Sequence, residues 1–238
     1  MIVVASNLHG NAVALKALLE RVERLKENFD IKAVYVLGVF GYMPYPKETY
    51  ELIVENDIRA VRGRIDHLIA EWHELEEEEK ESLSEFDRKV VEWNWDQLGK
   101  EGRKWLRNEV PSFLAEKWGD NEILLVYGSP YDPINGFVKP NQPSSYYESI
   151  LSPFRKYEMV VVGGYERFVA ETMHGKIACP GACGVYANQP SFAVIDTRSL
   201  DVSFEEFDFE TGDVERSIRE RLPEDCIEKI IDILHHGP

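Results

Sequence analysis

The first 66 residues alternate short apolar runs with segments of helical periodicity. Leu15, Leu18 and Val22 recur at helical spacing after Asn11, a residue type that commonly caps a helix N-terminus. A second helix is predicted behind Pro46. Buried strands are predicted at residues 2–5, 33–37 and 58–61. Such an alternation favours parallel strands joined by right-handed crossovers, with functional loops at the carboxyl ends of the strands.

The rest of the chain divides into a charged helical segment, a second group of strands and a helical tail. Residues 67–107 have a helical pattern and are predicted to form an insertion. A further helix is predicted at residues 144–157. The later strands, which look antiparallel toward the C-terminus, are predicted at residues 122–126, 159–162, 168–172, 176–179, 192–196 and 202–209. The pattern predicts one α/β domain over residues 1–238, with two packed mixed β-sheets flanked by helices and a C-terminal helical tail at 211–236.

Composition and charge exclude several function classes. With 44% hydrophobic residues, a chain of 238 residues can bury one substantial core. The net charge of −16, without a compensating basic cluster, argues against a nucleic-acid partner. No segment approaches the roughly 20 apolar residues of a membrane span, so no membrane partner is expected.

Cysteine usage predicts a cytoplasmic protein, because the three cysteines are not accompanied by a secretory leader. Cys179 and Cys183 lie four residues apart in a Cys-Pro-Gly-Ala-Cys segment. A local disulfide and two unpaired thiols both remain open. Zinc is not expected, since no second cysteine pair or suitably spaced histidine accompanies them.

Five strand-end segments carry the most informative motifs, and they are Ser6-Asn7-Leu8-His9-Gly10-Asn11, Leu37-Gly38-Val39, Arg62-Gly63-Arg64-Ile65-Asp66, Tyr127-Gly128-Ser129-Pro130 and Val162-Gly163-Gly164-Tyr165-Glu166. Their order and spacing resemble the calcineurin-like metallophosphoesterase superfamily, in particular its small prokaryotic phosphodiesterase and phosphatase branch. The match extends over residues 1–66 and 122–200. It includes Gly41-Tyr42-Met43-Pro44-Tyr45-Pro46, Cys179-Pro180-Gly181-Ala182 and Ser191-Phe192-Ala193-Val194-Ile195-Asp196. The resemblance implies an α-β-β-α sandwich.

The same resemblance identifies where the family binds two divalent metals through two Asp, one Asn and four His. Transferred residue by residue, the seven ligand positions are Asn7, His9, Val39, Arg64, Tyr127, Gly164 and Glu166. Ile65 stands where the family has the histidine that assists the leaving group, and Asp66 follows it unchanged. His9 is the one ligand of the seven that is retained.

These replacements predict a degenerate site. Val39 offers no ligand at the bridging position, and Arg64 would place a fixed positive charge beside the second metal, at a cost of about several kcal/mol. No cofactor is therefore expected, although Asn7, His9 and Glu166 leave room for one weakly held divalent ion.

Three functions remain open at this level. We expect a non-catalytic binding or regulatory protein with its cleft at the strand ends. The alternatives are a residual phosphoester hydrolase, using one metal or a rearranged site, and a structural or assembly protein.

Individual residues carry further expectations. Arg64 is expected in the cleft, either paired with Asp66 or Glu166 or holding a small anionic ligand. His9 is expected to bond a neighbouring loop or bind a metal, and Asp66 to cap the following helix. A homodimer is also expected. It would form through the strands of the second half or through the apolar stripe of Ile227, Ile230, Ile231 and Leu234, although such a stripe more often packs on its own domain.

Overall fold

A computed structural model describes residues 1–186 and 188–238. Ten strands lie in this part of the chain: β1 (Ile2–Ser6), β2 (Ala33–Leu37), β3 (Arg59–Val61), β4 (Phe113–Trp118), β5 (Asn121–Val126), β6 (Met159–Val162), β7 (Phe168–Thr172), β8 (Gly175–Cys179), β9 (Ser191–Ile195) and β10 (Val202–Glu206). They form two five-stranded sheets, ordered β10-β9-β1-β2-β3 and β4-β5-β6-β8-β7. Both sheets are mixed: β1, β2 and β3 are parallel, as are β5, β6 and β8, and the flanking strands are antiparallel.

The helices lie on the outer faces of the two sheets: α1 (Ala12–Lys26), α2 (Pro46–Glu55), α3 (Arg64–Glu71), α4 (Glu77–Glu81), α5 (Glu85–Asn108), α6 (Ser144–Leu151), α7 (Thr211–Arg221) and α8 (Ile227–His236). Asn11 caps α1 as predicted, because its side chain accepts a hydrogen bond from the N–H of Ala14 at 3.0 Å. Gly99 interrupts α5 with a φ of 62°.

Three apolar layers hold this architecture together. Between the sheets, Val4 and Leu37 pack with Leu125 and Val161. One outer face is covered by helices from both ends of the chain, and the other by α6. Burial of apolar surface on both sides of each sheet makes this arrangement stable. The predicted sandwich of two mixed sheets and flanking helices is confirmed.

Several predicted elements differ in extent. The helix predicted at 144–157 ends at Leu151, with a short 3₁₀ turn at Ser152–Phe154 that includes Pro153. Strand β4 was not predicted, because its sequence Phe113–Trp118 contains two charged residues and its side chains are exposed or half-buried rather than fully buried. Not all the later strands are antiparallel, since β8 pairs with β6 in parallel.

The C-terminal stripe packs within its own chain. Ile230 and Leu234 are fully buried in the core, and Ile227 and Ile231 pack against that core. The stripe therefore offers little free apolar surface to a second copy. None of the helices in residues 1–186 and 188–238 is long and apolar enough to cross a membrane.

Candidate functional site

The strand-end loops predicted from the sequence meet at one edge of the two sheets. The loop after β1 is bonded to the second sheet, because Asn7 Nδ2 donates to the carbonyl of Gly164 at 2.9 Å. Within the first sheet, the N–H of Asn7 donates to Leu37 and the N–H of Gly38 donates to Val61, both at 3.0 Å. The loops around the cleft are therefore linked by direct hydrogen bonds, both within the first sheet and from the first sheet to the second.

The loop after β1 has a constrained backbone. Asn7 and His9 adopt positive φ values of 53° and 57°, which are uncommon outside glycine but best tolerated by short polar residues and histidine. Both ends of the Asn7 amide are engaged, because its Oδ1 also accepts from the Tyr127 hydroxyl at 3.1 Å. A metal would have to displace Tyr127 before it could use this oxygen.

His9 is enclosed by two tyrosines. Its Nε2 lies 2.9 Å from the hydroxyl of Tyr165, and its ring stacks on Tyr42 with a centroid distance of 5.1 Å. Only 5% of the residue is exposed, and burial lowers the pKa of His9 to about 4. His9 is therefore a neutral ring whose side chain lies within hydrogen-bond distance of a neighbouring loop. This agrees with the first of the two expectations for it, a bond to a neighbouring loop.

Asp66 holds the second and third loops together. Its carboxylate accepts three backbone N–H bonds, from Val39 at 2.8 Å, Phe40 at 2.7 Å and Gly63 at 2.7 Å. The bond from Gly63 caps α3, in which Asp66 is the third residue. Burial raises the pKa of Asp66 to about 6, while the three N–H donors oppose that rise. Its oxygens are occupied by the scaffold and are not directed toward a ligand.

Arg64 does not pair with Asp66 or Glu166, so that part of the expectation is wrong. Its Nη1 lies 3.6 Å from Oδ2 of Asp87, at the start of α5. Asp66 is saturated by backbone donors, and the exposed Glu166 lies 3.5 Å from the Asn141 amide. The Arg64 side chain is 45% exposed and borders the cleft.

Tyr127 occupies the middle of the cleft. Its ring lies against Gly38, Gly63 and Gly163, where an added Cβ would come within 2.6 Å, 3.0 Å and 3.0 Å of ring atoms. Burial raises the pKa of Tyr127, so its hydroxyl stays protonated and can donate to Asn7. The tyrosine fits at this position because the three surrounding residues are glycines and leave space for its ring.

The remaining predicted positions contribute no metal ligand. Val39 is fully buried and Ile65 belongs to the apolar core. At Gly164 a Cβ would lie 2.7 Å from the sulfur of Cys179, so the position is too crowded for a larger side chain. Cys179 and Cys183 are both buried and unpaired, which agrees with the second of the two alternatives left open for them.

A cavity of about 170 Å³ lies beside the strand-end loops. Its lining consists of Asn7, Arg64, Tyr127, Ile134, Asn135, Gly136, Phe137, Gly163, Gly164 and Tyr165. Apolar and aromatic groups form most of the wall, and the charge comes from Arg64. The cleft could therefore enclose a small molecule with one negatively charged end.

The residues present do not fit a pair of metal ions. No group of three or more His, Cys, Asp or Glu side chains within residues 1–186 and 188–238 could hold a metal. The Asn7 oxygen is engaged and Val39 provides no donor. Arg64 adds a positive charge where metal ligands would be needed.

Sequence reasoning missed three contributors to the cleft. Tyr42 and Tyr165 lay within recognised motifs, but their stacking on His9 depends on how separate loops meet. Asp87 comes from α5 in the charged insertion, where the sequence shows only a solvated helix pattern. The one sequence signal for an aromatic cleft was the presence of tyrosines at several strand ends.

Comparisons with known proteins support the assignment of the fold. No protein-family model and no curated protein matches the sequence. The hypothetical protein PH1004 from Pyrococcus horikoshii OT3 is 36% identical, over 100% of this chain and 99% of that chain, with a TM-score of 0.90. A metallophosphoesterase from Sphaerobacter thermophilus is 22% identical, over 100% of this chain and 99% of that chain, with a TM-score of 0.71.

The recognition of the calcineurin-like metallophosphoesterase superfamily from the loop motifs is thereby confirmed at the level of the fold. The chain belongs to the same family as the Pyrococcus protein and has the calcineurin-like metallophosphoesterase fold.

Proposed function

We propose that this protein is a non-catalytic binding or regulatory protein, which holds a small anionic ligand in the strand-end cleft without a metal. The observation that carries the proposal is the placement of Tyr127. Its half-buried ring packs against Gly38, Gly63 and Gly163 in the cleft, and its hydroxyl donates to the oxygen of Asn7. The space and the ligand atom that a metal would need are both taken by the protein itself.

Two-metal chemistry has little support from the other positions. Such centres place two divalent ions about 3.5–4 Å apart and need anionic ligands between them to offset their repulsion. Val39 is apolar, and Asp66 directs its carboxylate to three backbone N–H groups. Arg64 adds a positive charge instead of a ligand.

Anion binding is supported by the state of Arg64. Its guanidinium is half exposed, and its acidic neighbour Asp87 stands at 3.6 Å, a long and weak contact. A guanidinium can present two parallel N–H donors to a carboxylate or phosphate. Because the chain carries a net charge of −16, a local positive group is needed to attract an anion.

Calorimetric titration of the metal-stripped protein tests the proposal, with inorganic phosphate and benzoate as probes. We expect at least one probe to bind in the presence of a chelator and Arg64→Gln to weaken that binding at least tenfold. Arg88→Gln is the matched control, because Arg88 neighbours Asp87 and is 46% exposed, against 45% for Arg64.

Two outcomes would contradict the proposal. One is binding of neither probe to the folded, metal-stripped protein. The other is manganese-dependent hydrolysis of an aryl phosphate at about 1 per second or faster, the range of ordinary enzymes. That result would favour the residual phosphoester hydrolase instead.

A further inference from the structure

The two ring nitrogens of His9 have unequal surroundings. Nε2 lies 2.9 Å from the Tyr165 hydroxyl, whereas Nδ1 is buried without a hydrogen-bond partner among the described residues. Nδ1 faces Gly41, where an added Cβ would come within 2.4 Å of it, so the contact leaves no room for water. The Gly41 carbonyl already accepts from Asn94 Nδ2 at 2.7 Å.

This asymmetry decides where the single proton of the neutral ring resides. A proton on Nδ1 would leave a buried N–H donor without an acceptor, which is among the rarest defects in folded proteins. A proton on Nε2 leaves only an unpaired lone pair at Nδ1, a smaller loss. His9 is therefore the Nε2–H tautomer and donates to the Tyr165 oxygen.

The tautomer sets the direction of the Tyr165 hydroxyl. A tyrosine hydroxyl has one donor and two acceptor sites, and His9 uses one acceptor site. Burial raises the pKa of Tyr165, so the hydroxyl keeps its proton. Tyr165 lines the 170 Å³ cavity, and its O–H has no acceptor among the described residues.

Other polar groups around the cavity are committed to the protein. The Tyr127 hydroxyl donates to Asn7, and the Asn7 amide donates to Gly164. The N–H of Gly163 donates to the Tyr127 carbonyl at 2.9 Å. Among the side chains that line the cavity, and apart from the exposed Asn135, this leaves the Arg64 guanidinium and the Tyr165 hydroxyl as donors without a close acceptor among the described residues.

The size and walls of the cavity restrict the rest of the ligand. A cavity of about 150 Å³ with apolar walls accommodates a benzene ring, and this one measures about 170 Å³. Ile134, Phe137 and the ring faces of Tyr127 and Tyr165 provide apolar and aromatic contacts. Two donor groups, a guanidinium and a hydroxyl, suit the two oxygens of a carboxylate better than the larger set of acceptors on a phosphate.

On the basis of the anion-binding function proposed above, we infer that the ligand is a small aromatic carboxylate. Arg64 and the Tyr165 hydroxyl bind its two oxygens. The aromatic ring of the ligand lies between Phe137 and the rings of Tyr127 and Tyr165. His9 is a positioning residue in this arrangement, because its N–H turns the Tyr165 hydroxyl toward the ligand. No covalent step is involved.

Calorimetry with four probes tests the ligand class: benzoate, cyclohexanecarboxylate, acetate and inorganic phosphate. We expect benzoate to bind at least tenfold more tightly than each of the others. Tyr165→Phe should weaken benzoate binding about tenfold, the usual effect of losing one hydrogen bond to a charged group. Tyr131→Phe is the control, since its hydroxyl donates to the carbonyl of Ser149 and lies outside the cavity.

Nitrogen-15 NMR of the histidine rings tests the positioning role without any ligand. The His9 signals should be those of a neutral ring protonated on Nε2. His9→Gln should retain much of the benzoate affinity, because the glutamine amide can supply an N–H near the same place, whereas His9→Leu should reduce it about as much as Tyr165→Phe.

The results separate the two proposals. Phosphate binding that depends on Arg64, without a benzoate preference or an effect of Tyr165→Phe, would overturn the aromatic carboxylate and leave the anion-binding function standing. Binding of none of the four probes would overturn both. A proton on Nδ1 of His9 would overturn the positioning role even if benzoate binds.

Discussion

The two sides of the cleft differ in how far the protein itself occupies their polar side chains. On the side of the β1 loop, Asn7 and His9 are buried and held by hydrogen bonds and stacked rings. On the side of the β3 loop, Arg64 is 45% exposed and has one distant acidic neighbour. Both sides hold residues that the loop-motif resemblance assigns to metal-ligand positions, yet one side is closed by protein contacts and the other is half exposed.

Under the proposed function, this difference indicates which side of the cleft would supply specificity and which would supply affinity. Leaving a buried polar group on the closed side without a hydrogen bond would cost folding free energy. The hydrogen-bond partners of these groups therefore fix their orientation. The charge on the open side loses little solvation and can exchange Asp87 for a ligand at small cost. We therefore propose that the closed side positions donors and that the charge on the open side attracts the ligand.

The largest expected effect comes from removing the Asp66 carboxylate, which holds the loops after β2 and β3 together. Asp66→Ala should destabilise the protein by about 4 kcal/mol, because three buried N–H groups lose their acceptor. Urea unfolding at pH 7 measures this change. Asp232→Ala is the control, since Asp232 is 71% exposed. A loss below about 1 kcal/mol would show that water replaces the carboxylate and that the loops after β2 and β3 are more accessible to solvent than described.

His9 should make the closed side sensitive to pH. Its pKa of about 4 in the folded state lies below the ordinary 6.5, so the unfolded chain binds the proton more tightly. The stability that His9 contributes is complete above pH 6.5 and is lost as the pH falls toward 4. Between pH 7 and pH 4 the advantage of the wild type over His9→Gln should shrink by about 3 kcal/mol.

Unfolding of both proteins at several pH values measures this difference. Asp66 acts in the opposite direction, because its raised pKa adds stability as the pH falls below about 6, but it is present in both proteins and cancels. His236→Gln controls for the substitution itself, since His236 is 74% exposed. An advantage that does not change with pH would mean that His9 is accessible to solvent.

A smaller effect is expected from the bond that closes the middle of the cleft. Tyr127→Phe keeps the packing against Gly38 and Gly63 but leaves the Asn7 oxygen without its donor. The free energy of unfolding should fall by about 1–2 kcal/mol. Tyr131→Phe, at an exposed position, should cost less. If the variant also gained manganese binding, the hydroxyl would be identified as the group that keeps the metal out.

Much of the fold and part of the site could be predicted from local sequence. The parallel strands follow from apolar runs, and the capping roles of Asn11 and Asp66 follow from residue type and position. The spacing of the loop motifs also predicted replaced metal ligands at Val39 and Arg64, and within the described residues no cluster of three or more His, Cys, Asp or Glu is present.

The contacts that define the cleft depend on long-range packing and were not predictable. Arg64 meets Asp87 because α3 packs on α5, and nothing in the charged pattern of that insertion indicates which face docks. Tyr165 reaches His9 across 156 residues of chain. The same holds for β4, whose partly charged strand is stabilised by pairing with β5 rather than by its own pattern.

The smallest effect on stability should accompany the largest effect on binding. Arg64→Gln removes a half-exposed guanidinium whose contact with Asp87 is 3.6 Å long, and such surface pairs contribute little because water screens them. The free energy of unfolding should change by less than about 0.5 kcal/mol. Arg62→Gln provides the contrast, because Arg62 is only 14% exposed, pairs with Glu71 at 3.1 Å and donates to the Val110 carbonyl, so its loss should cost more. Urea unfolding of the three proteins under identical conditions makes the comparison. If Arg64→Gln destabilised the fold as much as Arg62→Gln, Arg64 would be part of the scaffold, and the open side of the cleft would not be a free anion site.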